Sequence, residues 1–394
     1  MDVVPAVATS TPEELDMKAT SPASYRKEKA PEQQPYTMGQ VTSRSIVKEA
    51  ARTVRATRIG SRSPVASYST NAQREIGVLG IPLHQGQRKL GVEEAPKFLR
   101  DAGLLDQLRG LGYLVKDFGD VRVEGEPNVT DCNAIESDIV GKTSKNVRDA
   151  VAEVLRSGRV LVNLGGDHTM AIGTVSGHAQ ATHSDLAVIW VDAHADINTP
   201  TSSESGNIHG MAVAFLLHEM APYVVKPRGF EWLQPCVHKE NFAFIGLRDV
   251  DDYERYFLDQ LGITVYDMAD VDRHGIRNVV QRILNKINPT GTKSLHVSYD
   301  IDSLDKLVAP STGTPVMGGL TLREGLIIAE EVSNSGQLRV LDLAEVNLRL
   351  GSKQDAENTL DCSLKVVDAF FGSQRRGNVP LRLDKNIVDP RHVS

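Results

Sequence analysis

Three short clusters of side chains in this 394-residue chain could do chemistry together. Gly165-Gly166-Asp167-His168 follows an apolar run ending at Leu164, and its two glycines allow a sharp turn that throws an imidazole over a sheet edge. Asp192-Ala193-His194-Ala195-Asp196 follows Leu186–Val191. Side chains on an extended segment alternate, so positions 192, 194 and 196 are expected on one side, with the alanines beneath. Asp300-Ile301-Asp302, after Ser294–Tyr299, aims two carboxylates at one point by the same period. Carboxylates crowded in this way repel one another unless a cation lies between them. Two imidazoles and four carboxylates therefore point to a two-metal site. Four negative charges balance two divalent ions, and nitrogen and oxygen donors without thiolate suit Mn²⁺, with Co²⁺, Fe²⁺ or Zn²⁺ as alternatives. A metal pair about 3.5–4 Å apart depresses the pKa of bridging water and delivers a nucleophile near neutral pH.

Such clusters must be held at the ends of strands. Strands are expected at Glu75–Pro82, Tyr113–Gly119, Arg159–Leu164, Leu186–Asp192, Phe242–Leu247, Ile263–Met268, Ser294–Asp300 and Leu338–Ala344. Helices are expected over 93–109, 141–156, 170–181, 208–220, 251–260, 273–287, 322–334 and 355–371. Runs such as Leu186–Val191 are apolar without alternation, as strands covered on both faces are. Their alternation with helices gives one parallel sheet between two helical layers, with functional groups beyond the strands' carboxyl ends. There is no internal repeat and no sign of a second core. No GxGxxG follows the first strand, which argues against a dinucleotide-binding oxidoreductase.

Composition agrees with an ordinary globular chain: 40% hydrophobic, 24% charged, net charge −7. The acidic balance argues against nucleic-acid or anionic-membrane partners, and no apolar stretch approaches the ~20 residues of a membrane span. The three cysteines (Cys132, Cys236, Cys362) form no CxxC pair and fit a setting that needs no disulfides. Residues 1–72 are expected to be a disordered extension, because 1–37 is polar and rich in Pro, Ser and Thr. Within it, residues 41–70 carry six bases and one acid, with Ile46, Val47, Ala50 and Val54 on the opposite helical side. That is the make-up of a mitochondrial presequence. It begins after residue 40, although Met38 as a start would correct this. A solvated linker in a cytoplasmic protein is the competing reading. The expected catalytic region is 73–380, with a tail at 381–394.

The motifs GGDHT (165–169), WVDAHADIN (190–198), SGNIHG (205–210), GLRDVD (246–251), SYDIDSLD (298–305), STGTPVMGGLTLREG (311–325) and EVN (345–347) resemble arginase, in that family's order and spacing from Ile76 to about Gly377. The resemblance implies the ureohydrolase α/β fold with an eight-stranded parallel sheet, two Mn²⁺ per subunit and hydrolysis of L-arginine to L-ornithine and urea. By match, one metal would be held by His168, Asp192, Asp196 and Asp300, the other by Asp192, His194, Asp300 and Asp302. Asp196 would relay a proton to the leaving nitrogen, Glu345 would pair with the guanidinium, and His209 would shuttle protons. Asn198, Ser203 and Ser205 match the readers of the α-carboxylate, Asp251 that of the α-amino group, and Thr314 a turn beside the guanidinium. The other histidines (84, 178, 183, 218, 238, 274, 296 and 392) match nothing. Ser203 stands where many arginases have Thr, Ala195 follows the DAHAD form of invertebrate members, and Lys306 replaces a common Pro, which brings the stiffness of the metal loop into question. Family members are commonly homotrimers, through positions matching Arg323-Glu324 and Arg375. The alternatives are a ureohydrolase for another guanidino compound, as in agmatinases, and an inactive metal-binding homologue.

Overall fold

A computed structural model describes residues 75–375. The expectations for residues 1–72, including the presequence at 41–70, and for the tail at 381–394 and His392, lie outside these. Eight strands form one sheet: β1 (Glu75–Ile81), β2 (Leu114–Asp120), β3 (Val160–Gly165), β4 (Leu186–Val191), β5 (Phe242–Ile245), β6 (Thr264–Tyr266), β7 (Ser294–Asp300) and β8 (Leu338–Ala344). Every pairing is parallel, in the order β2-β1-β3-β8-β7-β4-β5-β6. All eight fall where strands are expected. The inner ones carry little polar alternation because both faces are covered, and β4 is buried at every residue, whereas the edge strand β2 is largely exposed.

The helices are α1 (Ala95–Asp101), α2 (Leu104–Gly110), α3 (Ser137–Arg156), α4 (Met170–Thr182), α5 (Ala212–Leu216), α6 (Asp252–Leu261), α7 (Met268–His274), α8 (Ile276–Ile287), α9 (Leu322–Ser335) and α10 (Lys353–Phe370). Residues of α1, α2 and α7–α10 pack with one face of the sheet, and residues of α3–α6 with the other. None is long and apolar enough to cross a membrane.

Two expected helices are broken. The 93–109 run divides at Gly103, whose φ of 88 no regular helix accepts. The 208–220 run becomes α5 flanked by two 3-10 turns, because Leu217 is extended and its neighbours bond to Val237 and Cys236. α7 forms a turn earlier than the helix expected from 273, capped by the Asp267 carboxylate, which accepts from Asp270 N.

The strand order does the essential positioning. β3, β8, β7 and β4 are adjacent at the centre of the sheet, although the chain visits them far apart. Their carboxyl ends run into His168, Glu345, Asp300 and Asp192 respectively. Four clusters distant in sequence thus open onto one edge.

Candidate active site

The two glycines after β3 answer to crowding rather than to an unusual φ. A Cβ on Gly166 would lie 1.8 Å from the Leu83 carbonyl oxygen, and one on Gly165 would lie 2.8 Å from the Leu343 oxygen. Only bare backbone passes there, and it delivers His168 into the sheet edge, where its ring stacks on Trp190 at 4.1 Å. His168 Nδ1 lies 3.1 Å from Asp192, 3.2 Å from Asp196 and 3.1 Å from Asp300. His194 Nδ1 lies 3.4 Å from Asp192 and 3.2 Å from Asp302. Asp192 is shared, one oxygen towards each imidazole, and Trp190 Nε1 donates to it at 2.9 Å. The six expected metal residues therefore converge.

They do so by a different route from strand alternation. Asp196 sits at φ 48, in the left-handed region, and Ile301–Ser303 is a 3-10 turn in which Asp300 accepts from Asp302 N at 2.8 Å. Local turns, not extended pleats, bring the carboxylates together, while Ala193 and Ala195 are fully buried beneath.

The loop after β7 is stiff in spite of Lys306. Arg248 donates to the carbonyls of Gly246, Asp302, Ser303, Leu304, Val316 and Met317 at 2.7–3.3 Å. Asp305 accepts from Leu307 N and Gly319 N. A guanidinium fork and a carboxylate hold what a proline ring would have restrained.

Glu345, also left-handed at φ 62, is buried under the site. Its Oε1 accepts from His168 N at 2.9 Å and meets His209 Nδ1 at 3.0 Å; its Oε2 accepts from Gln87 Nε2 at 2.9 Å. A carboxylate has about four lone-pair positions, so one on Oε2 remains. The two residues expected in separate roles thus form one ion pair.

Above them is a cavity of about 290 Å³ whose lining includes His194, Asp196, Asn198, Ser203, Ser205, His209, Asp251, Asp300, Asp302 and Thr314. His168, Asp192 and Glu345 lie below it. Asn198 donates to Asp251 at 2.8 Å and accepts from Ser202 at 2.8 Å. The Ser203 and Ser205 hydroxyls lie 3.5 Å apart and accept from Gly206 N and Asn207 N. Thr314 donates to Asp302 at 3.1 Å, so its hydroxyl holds a cluster carboxylate rather than only packing. Arg375 forms a two-fold ion pair with Glu330 of its own chain, and Glu324 closes the capping box of α9 with Thr321.

Residues passed over in the sequence support this cluster from below. His168 Nε2 contacts Ser298 Oγ at 2.9 Å, and Ser298 contacts Asp342 at 3.3 Å. Asp342 also accepts from Asn163, Thr174 and His296, and His296 meets His178, which meets Ser294. Asp342 is wholly buried. Burial alone would raise its carboxyl, but His296, Thr174 and Asn163 outweigh this and hold it below the usual range. As an anion it can only accept. Ser298 must then give it a proton and take one from His168 Nε2–H, so in the neutral ring, the form that can hold a cation, Nδ1 is the bare nitrogen facing the carboxylates. A signal existed: His296, Ser298 and Asp300 alternate along β7 and share one face. Asp167 and Arg248 lie within the GGDHT and GLRDVD motifs but carry no assigned role there, and Gln87 had no signal.

The electrostatics are those of a site for positive charge. Burial and mutual repulsion raise Asp300 and Asp302, and Asp196 to about 6. Burial opposes protonation of His168 and His194, but the surrounding aspartates outweigh it and hold both well above the usual imidazole range. Burial likewise opposes protonation of His209, yet Glu345, Asp196 and Asp167 raise it to about 9, above the near-neutral value expected for a shuttle. Divalent cations at the aspartates would repel an imidazolium there and oppose that rise.

The donor set fits a metal. His168 Nδ1 is buried, without a hydrogen-bond partner, and about 3.1 Å from three carboxylate oxygens. Neighbouring ligands about 2.1 Å from an octahedral cation stand about 3.0 Å apart. His168, Asp192 and Asp196 form one group that could hold an ion, and Asp192, His194 and Asp302 a second.

The arginase family model matches residues 74–371. Hepatic arginase of Aquarana catesbeiana is 45% identical over 311 residues, 78% of this chain and 96% of that protein. Human mitochondrial arginase-2 is 42% identical over 316 residues, covering 79% and 89%. The solved structure of Entamoeba histolytica arginase in complex with L-ornithine superposes with a TM-score of 0.69 at 29% identity, covering 76% of this chain and 98% of that one. With this match spanning the whole described sheet and its clustered strand ends, the chain belongs to the arginase family of hydrolases.

Proposed function

We propose that this hydrolase converts L-arginine and water to L-ornithine and urea with two bound divalent cations, Mn²⁺ by preference. The observation that carries the reading is the adjacency of the imidazole–carboxylate cluster to a polar cavity lined by Asn198, Ser203, Ser205 and Asp251. One cation would be held by His168, Asp192, Asp196 and Asp300, the other by Asp192, His194, Asp300 and Asp302. When bound, the pair supplies a water nucleophile active near neutral pH.

The chain's own groups do the rest. Glu345, anionic because His209 and the His168 amide offset its burial, offers its free Oε2 position to the guanidinium and fixes that plane over the cluster. Asn198, Ser203 and Ser205 hold the α-carboxylate, and Asp251 the α-amino group. Asp196 takes a proton at its carboxylate and passes it to the departing ornithine nitrogen as the C–N bond breaks. His209, at the cavity wall, returns protons to solvent. Thr314 keeps Asp302 in place.

Urea release from L-arginine and from agmatine, with and without added Mn²⁺, tests the proposal. Arginine-selective, metal-dependent release is expected. Preference for agmatine would make the protein a different ureohydrolase, and no release from either a metal-binding homologue without this activity. Asn198→Ala should lower kcat/KM for arginine far more than for agmatine. Homotrimer assembly is proposed from the family resemblance, and sedimentation at a threefold mass is the expected result. Residence in the mitochondrion is proposed from the composition of residues 41–70, and relatives from human, rat and cattle are named as mitochondrial; a tagged chain lacking residues 1–72 should then stay in the cytoplasm.

A further inference from the structure

Four non-glycine residues of one loop, Asn128, Cys132, Asn133 and Glu136, sit at φ 61, 51, 65 and 48. That region is unfavourable for residues with a Cβ, and a cluster of it persists only where surrounding contacts dictate the path. They do so here. Asp131 and Ala134 exchange backbone hydrogen bonds at 3.1 and 2.8 Å, the Glu136 carboxylate accepts from Asn128 N, and the Asp131 carboxylate accepts from Arg228 N.

The inner edge of this loop grips the 199–206 segment, which belongs to no helix or strand. Asn133 Nδ2 donates to the Ser203 carbonyl at 2.8 Å and to the Pro200 carbonyl at 3.2 Å. Ile135 N donates to the Gly206 carbonyl at 2.9 Å. The approach is so close that a Cβ on Gly206 would stand 2.5 Å from the Asn133 oxygen. Ser203 and Ser205, on the gripped segment, line the cavity; Asn133 does not.

We propose that Asn133 is a positioning residue for substrate choice, holding the Ser203 and Ser205 hydroxyls where a ligand's α-carboxylate arrives without itself touching the ligand. The inference rests on the arginine reading above and deepens it. Two hydroxyls bind a carboxylate well only if their oxygens are already placed, since each movable side chain must otherwise be ordered on binding. Asn133 fixes the backbone that carries both. Asn suits the position because it tolerates left-handed backbone better than most residues and brings two N–H donors. The guanidinium end of the ligand, at Glu345 and the carboxylate cluster, does not depend on this segment. The effect should therefore separate by ligand chemistry.

The test uses the Mn²⁺-loaded full chain. Asn133→Gly keeps the left-handed backbone and removes the carboxamide; Asn133→Asp keeps the shape and turns an oxygen towards the two carbonyls. Calorimetric binding of L-ornithine is compared with that of 1,4-diaminobutane, which lacks the carboxylate, alongside kcat and KM for L-arginine. In N133G, L-ornithine should bind about tenfold more weakly and KM should rise about as much, a loss on the scale of one hydrogen bond. Affinity for 1,4-diaminobutane and kcat should stay within about twofold, and N133D should lose at least as much ornithine affinity as N133G. Unchanged ornithine affinity in N133G overturns the proposal, as does an equal loss for both ligands, which would mean general loosening. Failure of the underlying reading looks different: the parent itself then releases no urea from L-arginine.

Discussion

Asp342 offers the sharpest test of how the cluster is supported. Its Oδ1 accepts from Asn163 Nδ2 at 2.7 Å, and its Oδ2 from Thr174, His296 and Ser298 at 2.6, 2.9 and 3.3 Å. Asp342→Asn replaces one oxygen by NH₂. At the Oδ2 position that group would face three donors. At Oδ1 it faces only Asn163, whose own Oδ1 is buried without a partner and can be presented by an amide flip. The variant therefore keeps its contacts and loses charge assistance. Hydrogen bonds to a charged group contribute about 1.5–3 kcal/mol against about 0.5–1.5 for neutral ones. Over four contacts, partly offset because no charge is then buried, the net loss is about 2 kcal/mol. Asp342→Ala strands four buried donors at about 1–3 kcal/mol each, so about 5 kcal/mol or more is expected. Tm shifts of about 3 °C and about 8 °C or more follow for a folded region of roughly 300 residues. Because His296, Thr174 and Asn163 depress the folded carboxyl, its stabilisation is fully present above the unfolded value of ~3.9 and is lost as pH falls towards the folded one. Parent and variant should converge in acid. Metal affinity of the Asn variant should fall about 10- to 100-fold, through Ser298 and His168. Urea denaturation at several pH values and metal titration measure all three. Equal destabilisation by Asn and Ala would refute the donor accounting, and unchanged metal affinity would refute the link to His168.

Other outcomes follow from single groups. His194→Ala should retain one of two metal equivalents by elemental analysis; two retained ions would discard it as a ligand. Glu345→Gln keeps an acceptor for the His168 amide and should keep metal, while urea release drops by about 10²-fold or more; near-parent kcat would end its orienting role. Burial pushes the Asp368 carboxyl up to about 6, so its contribution is present below ~3.9 and lost as pH rises through about 6. Asp368→Asn should gain on the parent by about 1 kcal/mol between pH 4 and 8, after discounting for its exposed part. Parallel stability curves would contradict that.

The edge strand β2, with Lys116, Asp117 and Asp120 among its residues, is largely exposed. The inner strands are legible because each is a short apolar run, and a sheet covered on both faces writes itself in that form. Helix ends are less so. The break at Gly103 and the extended Leu217 depend on where the next element must go, and propensity carries no such information. The cluster residues are legible because carboxylates crowded at strand ends need a cation to offset their repulsion. Their support is not: Asn163, Asp342 and Ser298 look like isolated polar residues until β3, β8 and β7 lie side by side, and Asn133 sits in a loop with no motif of its own. The period-two face of His296, Ser298 and Asp300 is readable, but it escapes notice when histidines are matched singly to motifs.

A cluster of four aspartates works against its own assembly, since burial and like charge both oppose it. The surrounding structure answers that repulsion at every strand end by a different means: stacking and an indole donor on Trp190, six carbonyls on Arg248, the Ser298–Asp342 support beneath His168, and left-handed turns at Asp196 and Glu345. Trp190, Arg248, Ser298 and Asp342 need not touch a substrate, and each helps to fix a side chain that would. Such restraint has a kinetic use. Carboxylates held in advance need no ordering when cations or a guanidinium arrive, so binding free energy goes to affinity and orientation instead of to assembling the site. The same logic explains why a lysine is tolerated at position 306. The loop's geometry is set by Arg248 and Asp305, and side-chain identity at its exposed bend has little left to decide.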